Sequence, residues 1–507
     1  MRHDTRALRK ETNSLASLRG ELRPRRPDSI SCPPEGGRYE GFPLIAGSHG
    51  WCSSNRALSP RWRTHDQFRL ANRPSLPAPH AGPPGYNGAH VRRNLRCQVK
   101  PAWGVATLCP IIVSFTFGLA LPAEHGTSSD RAPAISASSL SRAIALSAAY
   151  LEQACDSRGR FVYRVDPNSG RESHSYNIIR HAGAIYSLAM LNRVHPDEKA
   201  KAAMVRAGSF MRSGYFSAGP DDDMFAVWSK PAGVGPARVA DLGATGLGLV
   251  ALTSIQMVKP GAVSMTELEG MARFLMLLQK SDGSFCSKYR LHTGPVEGWQ
   301  SLYYPGEAIL GLASLYGLDH NRQWLIAAGN GLSYLARSRA GSREVPPDHW
   351  ALIATAQFPP FYGQSECPAS REELLRHAMK ICRSLLAGQV ANATQPDLDG
   401  SFDPDGRTAP TATRLEGLLA ALEFLPKNDP TGLRAAIATA VQSGISFLLR
   451  AQIKSGQYAG GMPGEITREG AGTRRADPGA SDVRIDYVQH ALSAFLRYQR
   501  IFLAAKP

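Results

Sequence analysis

The chain has no CxxC pair, no Cys and His at zinc-binding spacing, no phosphate loop and no dinucleotide fingerprint. Zinc modules, nucleotide hydrolysis and nicotinamide binding therefore lack their usual signatures. A surplus of one charge is also missing from most of the chain. The formal charge is +16, from 58 Lys and Arg against 42 Asp and Glu. Residues 1–100 hold 18 basic against 7 acidic side chains, and the other 407 residues hold 40 against 35. A uniformly basic nucleic-acid binder is thereby excluded, and no nucleic-acid partner is expected. Collagen-like, coiled-coil and fully disordered chains are excluded for the main part, because 43% of the residues are hydrophobic and a sizeable core is within reach.

The first hundred residues lack apolar periodicity and nearly lack lysine, with only Lys10 and Lys100 among the basic side chains. Arg, Pro, Gly and Ser fill the stretch, and Pro-rich runs around 23–27 and 83–85 oppose regular structure. Three readings compete: a disordered basic tail, translated upstream sequence with the true start further along, and an RNA-binding arm. The next segment favours the second. Residues 101–123 carry no charge, follow Arg92, Arg93, Arg96 and Lys100, and end in small residues at Ala120 and Ala123. These are the parts of a secretory signal, and the run is also long enough for a single membrane anchor. Either way the remainder is expected outside the cytoplasm, periplasmic or secreted, and anchored to a membrane only if 101–123 stays uncleaved. Residues 124–138 read as a linker, and 139–507 as the folded domain. That domain keeps Cys155, Cys286, Cys367 and Cys382, enough for two disulfides or for free buried thiols.

From 139 onward, Ala, Leu and Gly dominate, and long helical patterns alternate with Gly, Pro and Asp loops. Six approximate two-helix units emerge. They pair 140–155 with 177–192, 198–213 with 241–255, 265–280 with 305–316, 322–337 with 348–356, 372–388 with 411–424, and 431–452 with 486–502. The first helix of each unit is amphipathic, as in REELLRHAMKICRSLLAG, whereas the second is small and apolar nearly all round, as in ATGLGLVALTS. A helix apolar on every side is buried. The economical arrangement is an all-α (α/α)6 toroid of six helical hairpins, with an inner ring of six helices wrapped by six others. An open superhelix of hairpins is the rival.

A second pattern supports closure. Three of the first helices end in Gln, followed by a Gly turn and an aromatic residue. These are Gln153 with Gly159 and Phe161, Gln279 with Gly283 and Phe285, and Gln452 with Gly456 and Tyr458. A fourth turn runs Asp399, Gly400, Ser401, Phe402. The stretch LLQKSDGSF resembles the repeat of triterpene cyclases and the wider α/α-toroid proteins, which include protein prenyltransferases, lanthionine-forming cyclases and six-hairpin glycosidases. The resemblance covers about 140–502 and implies the fold more firmly than the reaction, because this fold hosts many chemistries.

Parallel inner helices would gather their positive N-terminal ends at one mouth of the barrel. The first turns are polar there: Asn177, Arg180 and His181; Asp241; Tyr303, Tyr304 and Glu307; Asp348, His349 and Trp350; Thr411, Arg414 and Glu416; Asp486, Tyr487 and His490. Helix capping accounts for Asp241, Asp348 and Asp486. It does not account for charges inside the turns, which read either as structural ion pairs or as a site. The rings of Trp299, Tyr303, Tyr304 and Trp350 suit sugar faces or ordinary packing.

Glycoside hydrolysis needs two carboxylates, and Glu307 as acid with Asp348 as base is the leading pair. A polysaccharide lyase or uronate epimerase would instead pair Tyr304 or His349, as proton abstractor, with Arg180 or Arg414 as the cation. Resemblance to alkene-protonating terpenoid cyclases implies an Asp-x-Asp-Asp motif. Asp221, Asp222 and Asp223, and Asp397 with Asp399, do not match it. The expectation is an exported glycan-acting enzyme, a glycoside hydrolase first, without cofactor or metal. Glu307, Asp348 and His349 are read as catalytic. Asn177, Arg180, His181, Asp241, Trp299, Tyr303, Tyr304, Trp350, Arg414, Glu416, Asp486 and His490 are read as binding substrate. A non-catalytic glycan-binding or assembly protein and a terpenoid-cyclase-like enzyme are the alternatives.

Overall fold

In a computed structural model of the chain, residues 135–231, 238–362, 367–391, 395–466 and 479–504 are described. The expectations for 1–100 and 101–123 lie outside them, as does most of the 124–138 linker. Twelve α-helices occur among the described residues: α1 (Ala137–Ala154), α2 (Ile178–Val194), α3 (Glu198–Tyr215), α4 (Leu242–Val258), α5 (Met265–Leu277), α6 (Tyr304–Asp319), α7 (Arg322–Ser338), α8 (His349–Thr355), α9 (Arg371–Ala387), α10 (Thr408–Phe424), α11 (Leu433–Ala451) and α12 (Ile485–Tyr498). A π-helical turn, Gln499–Leu503, extends the last. None is long and apolar enough to cross a membrane.

The even-numbered helices form a closed inner ring. Helix α2 packs on α4, α4 on α6, α6 on α8, α8 on α10, α10 on α12, and α12 back on α2. Composition explains the layering. Every residue from Leu242 to Ile255 of α4 is buried. In α9 only Leu374, His377, Ala378, Ile381, Cys382 and Leu385 are, which is one helical stripe. Two inner helices approach through glycine: a Cβ on Gly246 of α4 would lie 2.6 Å from the Ala308 nitrogen of α6, and one on Gly311 would lie 2.7 Å from the Gly246 oxygen.

The pairing within hairpins differs from the sequence expectation. Each inner helix packs most closely on the outer helix that follows it, so α2 lies against α3, α6 against α7 and α10 against α11, while α1 lies against α12. Connection length is the reason. Only residues 195–197 join α2 to α3 and 320–321 join α6 to α7, whereas 155–177 and 278–303 join outer to inner. The long connections carry short strands that the sequence reading missed. Strand β1 (Arg164–Val165) pairs with β7 (Val483–Arg484). Strand β2 (Phe216–Ala218) pairs with β3 (Phe225–Val227), and β4 (Val239–Asp241) with β5 (Lys288–Arg290) and β6 (Gly294–Pro295) in one sheet. All pairs are antiparallel.

Two of the three expected glutamines tie neighbouring outer helices together, joined by Gln389 and not by Gln153, which is exposed. Gln279 Nε2 donates to the Ala327 carbonyl of α7 at 2.9 Å, Gln389 to Ala440 of α11 at 2.8 Å, and Gln452 to Ala143 of α1 at 3.0 Å. The last of these closes the outer ring across 309 residues. Each such bond contributes about 1 kcal/mol. Gly159 and Gly400, both at positive φ, lie where a Cβ would strike the carbonyls of Arg206 and Ser443. In the last turn the glycine pressed on a carbonyl is Gly460, against Leu146, and not Gly456, which faces open space. The four described cysteines are free thiols.

Candidate active site

The inner helices do meet through their first turns. Asp486 of α12 takes Arg180 of α2 at 3.2 Å and Arg484 at 2.6 and 2.9 Å. Arg180 also donates to the Tyr163 hydroxyl. Burial favours the acid form of Asp486, but the two guanidiniums prevail and hold its carboxyl below the usual range. Asp486 therefore does not cap α12, which starts one residue earlier at Ile485 without a side-chain cap bond.

A second group is made of carboxyls. Glu307 of α6 is buried beside Asp348 and Asp241, and Tyr304 adjoins Glu307 and Asp241. Gly243 makes the room, since a Cβ there would run into Glu307 Oε2 and the Tyr304 ring. Burial, then the like charges of Asp348 and Asp241, push the Glu307 carboxyl well above its ordinary range, which favours its acid form. Asp241 is raised too, by burial partly offset by Lys288, its cross-strand neighbour. Although it occupies the N-cap position of α4, Asp241 makes no cap bond. Glu307 Oε2 and Asp241 Oδ1 find no partner among the described residues. Asp348, by contrast, is committed on both oxygens. Oδ1 accepts the Ala351 N–H at 3.0 Å and Oδ2 pairs with Arg339 at 2.9 Å.

The third group joins three helices. His490 Nδ1 of α12 lies 2.5 Å from Glu416 Oε2 of α10, and the His349 ring of α8 stands 6.0 Å from that of His490. Tyr303 meets His349 edge-on at 4.9 Å, and buried Trp350 flanks both histidines. His349 is 3% exposed and its Nε2 has no partner among the described residues. Burial, then the charges of His490 and Arg414, hold it well below the usual histidine range, so it is a neutral imidazole. Ligand atoms of His349, Glu416 and His490 lie within 4.8 Å of one another, so the three could close on a cation. Acceptance by the Glu416 carboxylate of the His490 Nδ1–H accounts for two of them without one.

Not every expected residue reaches this mouth. His181 points away from it, with Nδ1 on the Tyr176 hydroxyl at 2.8 Å and Nε2 on the Ala207 carbonyl of α3 at 2.9 Å, among Phe161 and Phe210. It is a core histidine, pushed down to about 4 by burial. Asn177 caps α2 by accepting the N–H groups of Ile179 and Arg180. Trp299 is 43% exposed at the rim, its ring under Lys288 at 4.1 Å and edge-on to Tyr304. Arg339 and Arg484 were missed. Arg339 sits in a stretch read as loop, and nothing in the sequence ties it to Asp348. Arg484 lies two residues before Asp486, a spacing that does signal a pair on an extended strand end.

No protein-family model matches the sequence, and a search of curated proteins finds no match. Solved structures do match. A sugar epimerase from a ruminal bacterium shares 10% identity at TM-score 0.53, covering 71% of this chain and 98% of that one. A D-mannose isomerase shares 14% at 0.54, covering 72% and 98%. A cellobiose 2-epimerase from Spirochaeta thermophila shares 13% at 0.53, again covering 72% and 98%. At such identities the likeness bears on the fold, and with the closed ring of inner helices it establishes this chain as a six-hairpin α/α toroid.

Proposed function

We propose that the barrel mouth is the active site of a carbohydrate-active enzyme that moves a proton at a sugar carbon, as an epimerase or isomerase does. The observation that carries this reading is His349: a buried, neutral imidazole with a free Nε2, facing a second histidine that is backed by a carboxylate. A hydrogen on the carbon beside a sugar carbonyl or carboxyl group can be taken by such a base when nearby donors hold the charge that develops on oxygen. His349 takes the proton, breaking the C–H bond. His490 returns one as an imidazolium that Glu416 stabilises. Glu307, uncharged, donates a hydrogen bond to a substrate oxygen. The printed names of three matched structures, a sugar epimerase, a D-mannose isomerase and a cellobiose 2-epimerase, support the same class.

Hydrolysis with Glu307 as general acid is a second reading, favoured by the upward shift that burial gives that carboxyl. Its weakness is the base. Asp348 is fully buried and holds Arg339 and the Ala351 amide, which leaves no free oxygen to activate water. The test is incubation of the protein with reducing sugars, uronates and oligosaccharides in deuterium oxide. Proton transfer predicts deuterium at one carbon of the sugar, lost in His349→Gln. New reducing ends that survive His349→Gln but vanish in Glu307→Gln would replace this reading with hydrolysis.

A further inference from the structure

The carboxylates at the mouth are shared out among its cations, and one guanidinium has none. Asp486 is one carboxylate between two guanidiniums, Arg180 and Arg484. Asp348 is used by Arg339 and Glu416 by His490. Of the remaining carboxyls Glu307 is buried and Asp241 half-buried, and desolvation shifts both towards their acid forms. Against that background stands Arg414. It is half-buried on α10 and makes no hydrogen bond or ion pair among the described residues. Its position is defined by the helix contact beside it. Gly417, three residues on, packs so closely on α8 that a Cβ there would lie 2.9 Å from His349 Cβ. Residues three apart share a helix face, so Arg414 rises from the side of α10 that faces the first turn of α8. Its charge is also felt at the His349 imidazole.

The Arg414 guanidinium, on a half-buried side chain beside His349 and without a counter-ion, is open to an anion. We infer that the substrate completes it, and that the sugar acted on carries a carboxylate gripped by Arg414 next to His349. This rests on the proton-transfer reading above and narrows its substrate to a uronate. Carboxylate fits better than phosphate. A planar fork matches two carboxylate oxygens. A phosphate dianion would call on helix amides, and those at the starts of α2 and α8 are already taken by Asn177 and Asp348. The placement also serves the chemistry, because a guanidinium on the carboxylate stabilises the charge that develops when a neighbouring C–H gives up its proton.

The test compares glucuronate with glucose and galacturonate with galactose, by calorimetric titration of the full chain, with inorganic phosphate as a further probe. At least one uronate is expected to bind tenfold or more tightly than its neutral partner. Arg414→Gln should remove that preference without lowering the melting temperature, and Arg414→Lys should restore part of it. Equal binding of acidic and neutral sugars, no binding of either uronate, a preference that survives Arg414→Gln, or phosphate binding as tight as uronate would each overturn the inference. Deuterium exchange on a neutral sugar with no uronate preference would sink this inference alone. A uronate preference without exchange on any sugar would sink the proton-transfer reading and leave of this one only the grip of Arg414 on a carboxylate.

Discussion

The first turns of α2 and α8 begin alike and end differently. Each opens on a capping side chain, Asn177 or Asp348, that bonds the helix amides, and each places a buried histidine within the first turn. His181 has both ring nitrogens engaged and is walled in by Phe161, Phe210 and Tyr176. His349 has an unpartnered Nε2 and stands among Tyr303, Trp350 and His490. The caps diverge in the same sense. Asn177 has only the helix to serve, whereas Asp348 also holds Arg339 in the interior. A buried polar group that is fully satisfied is finished as structure, and one that is not retains capacity for a ligand.

The largest expected effect separates the two histidines. His349→Gln should lower turnover by about 10²–10⁴-fold with little change in melting temperature. His181→Gln should do the reverse, losing about 2–3 kcal/mol of stability while each folded molecule keeps its activity. Activity that falls equally in both would dissolve the contrast. Treatment with a chelator probes the same point. Loss of activity that Zn²⁺ restores would recast His349, Glu416 and His490 as ligands.

Next in size is the cap at α8. Asp348→Ala strands the half-buried Arg339 and should cost about 3–5 kcal/mol in denaturant unfolding. A cost near 1 kcal/mol would mean that the ion pair contributes little beyond its cap.

Acid exposes what the two histidines share. His181 and His349 are both held neutral in the folded protein, as is His377, pushed down to about 3 by burial. Between the unfolded histidine value near 6.5 and these lower folded values, the unfolded chain binds more protons. Stability is therefore complete above that value and falls as pH drops through it. Asp486, held low by Arg180 and Arg484, adds a further loss at lower pH. His181→Gln should flatten the curve between pH 6.5 and 4 once its own stability loss is subtracted, and an unchanged slope would show that His181 is charged when folded.

The smallest effect concerns the other cap. Asn177→Ala should cost about 1 kcal/mol and leave turnover intact, which thermal melts and the exchange assay can read side by side. A loss of turnover would place Asn177 in the site.

The helices were legible because their signals are local. The inner ones are apolar throughout and the outer ones striped, so the ends of α3, α7 and α9 fall within two residues of where composition puts them. The Gln and Gly turns foretold closure, since they make sense only against a neighbouring helix. They misled where two glycines compete, because Gly456 and Gly460 differ only in what lies opposite. The candidate site was half legible. Glu307, Asp348, His349, Glu416 and His490 were found as polar residues in apolar helices. The partners Arg339 and Arg484 were not, because loop arginines carry no mark of where they fold.

Sequence alone determined the twelve helices, their two characters and the end of the barrel where polar groups collect, because hydrophobic periodicity and capping act over a few residues. Tertiary structure decided which outer helix each inner one lies against, which histidine is spent on packing and which is free, and which carboxyls burial shifts towards their acid forms. Those outcomes depend on burial and on charges brought from other helices. A dielectric environment is a property of the assembled barrel and of no residue within it.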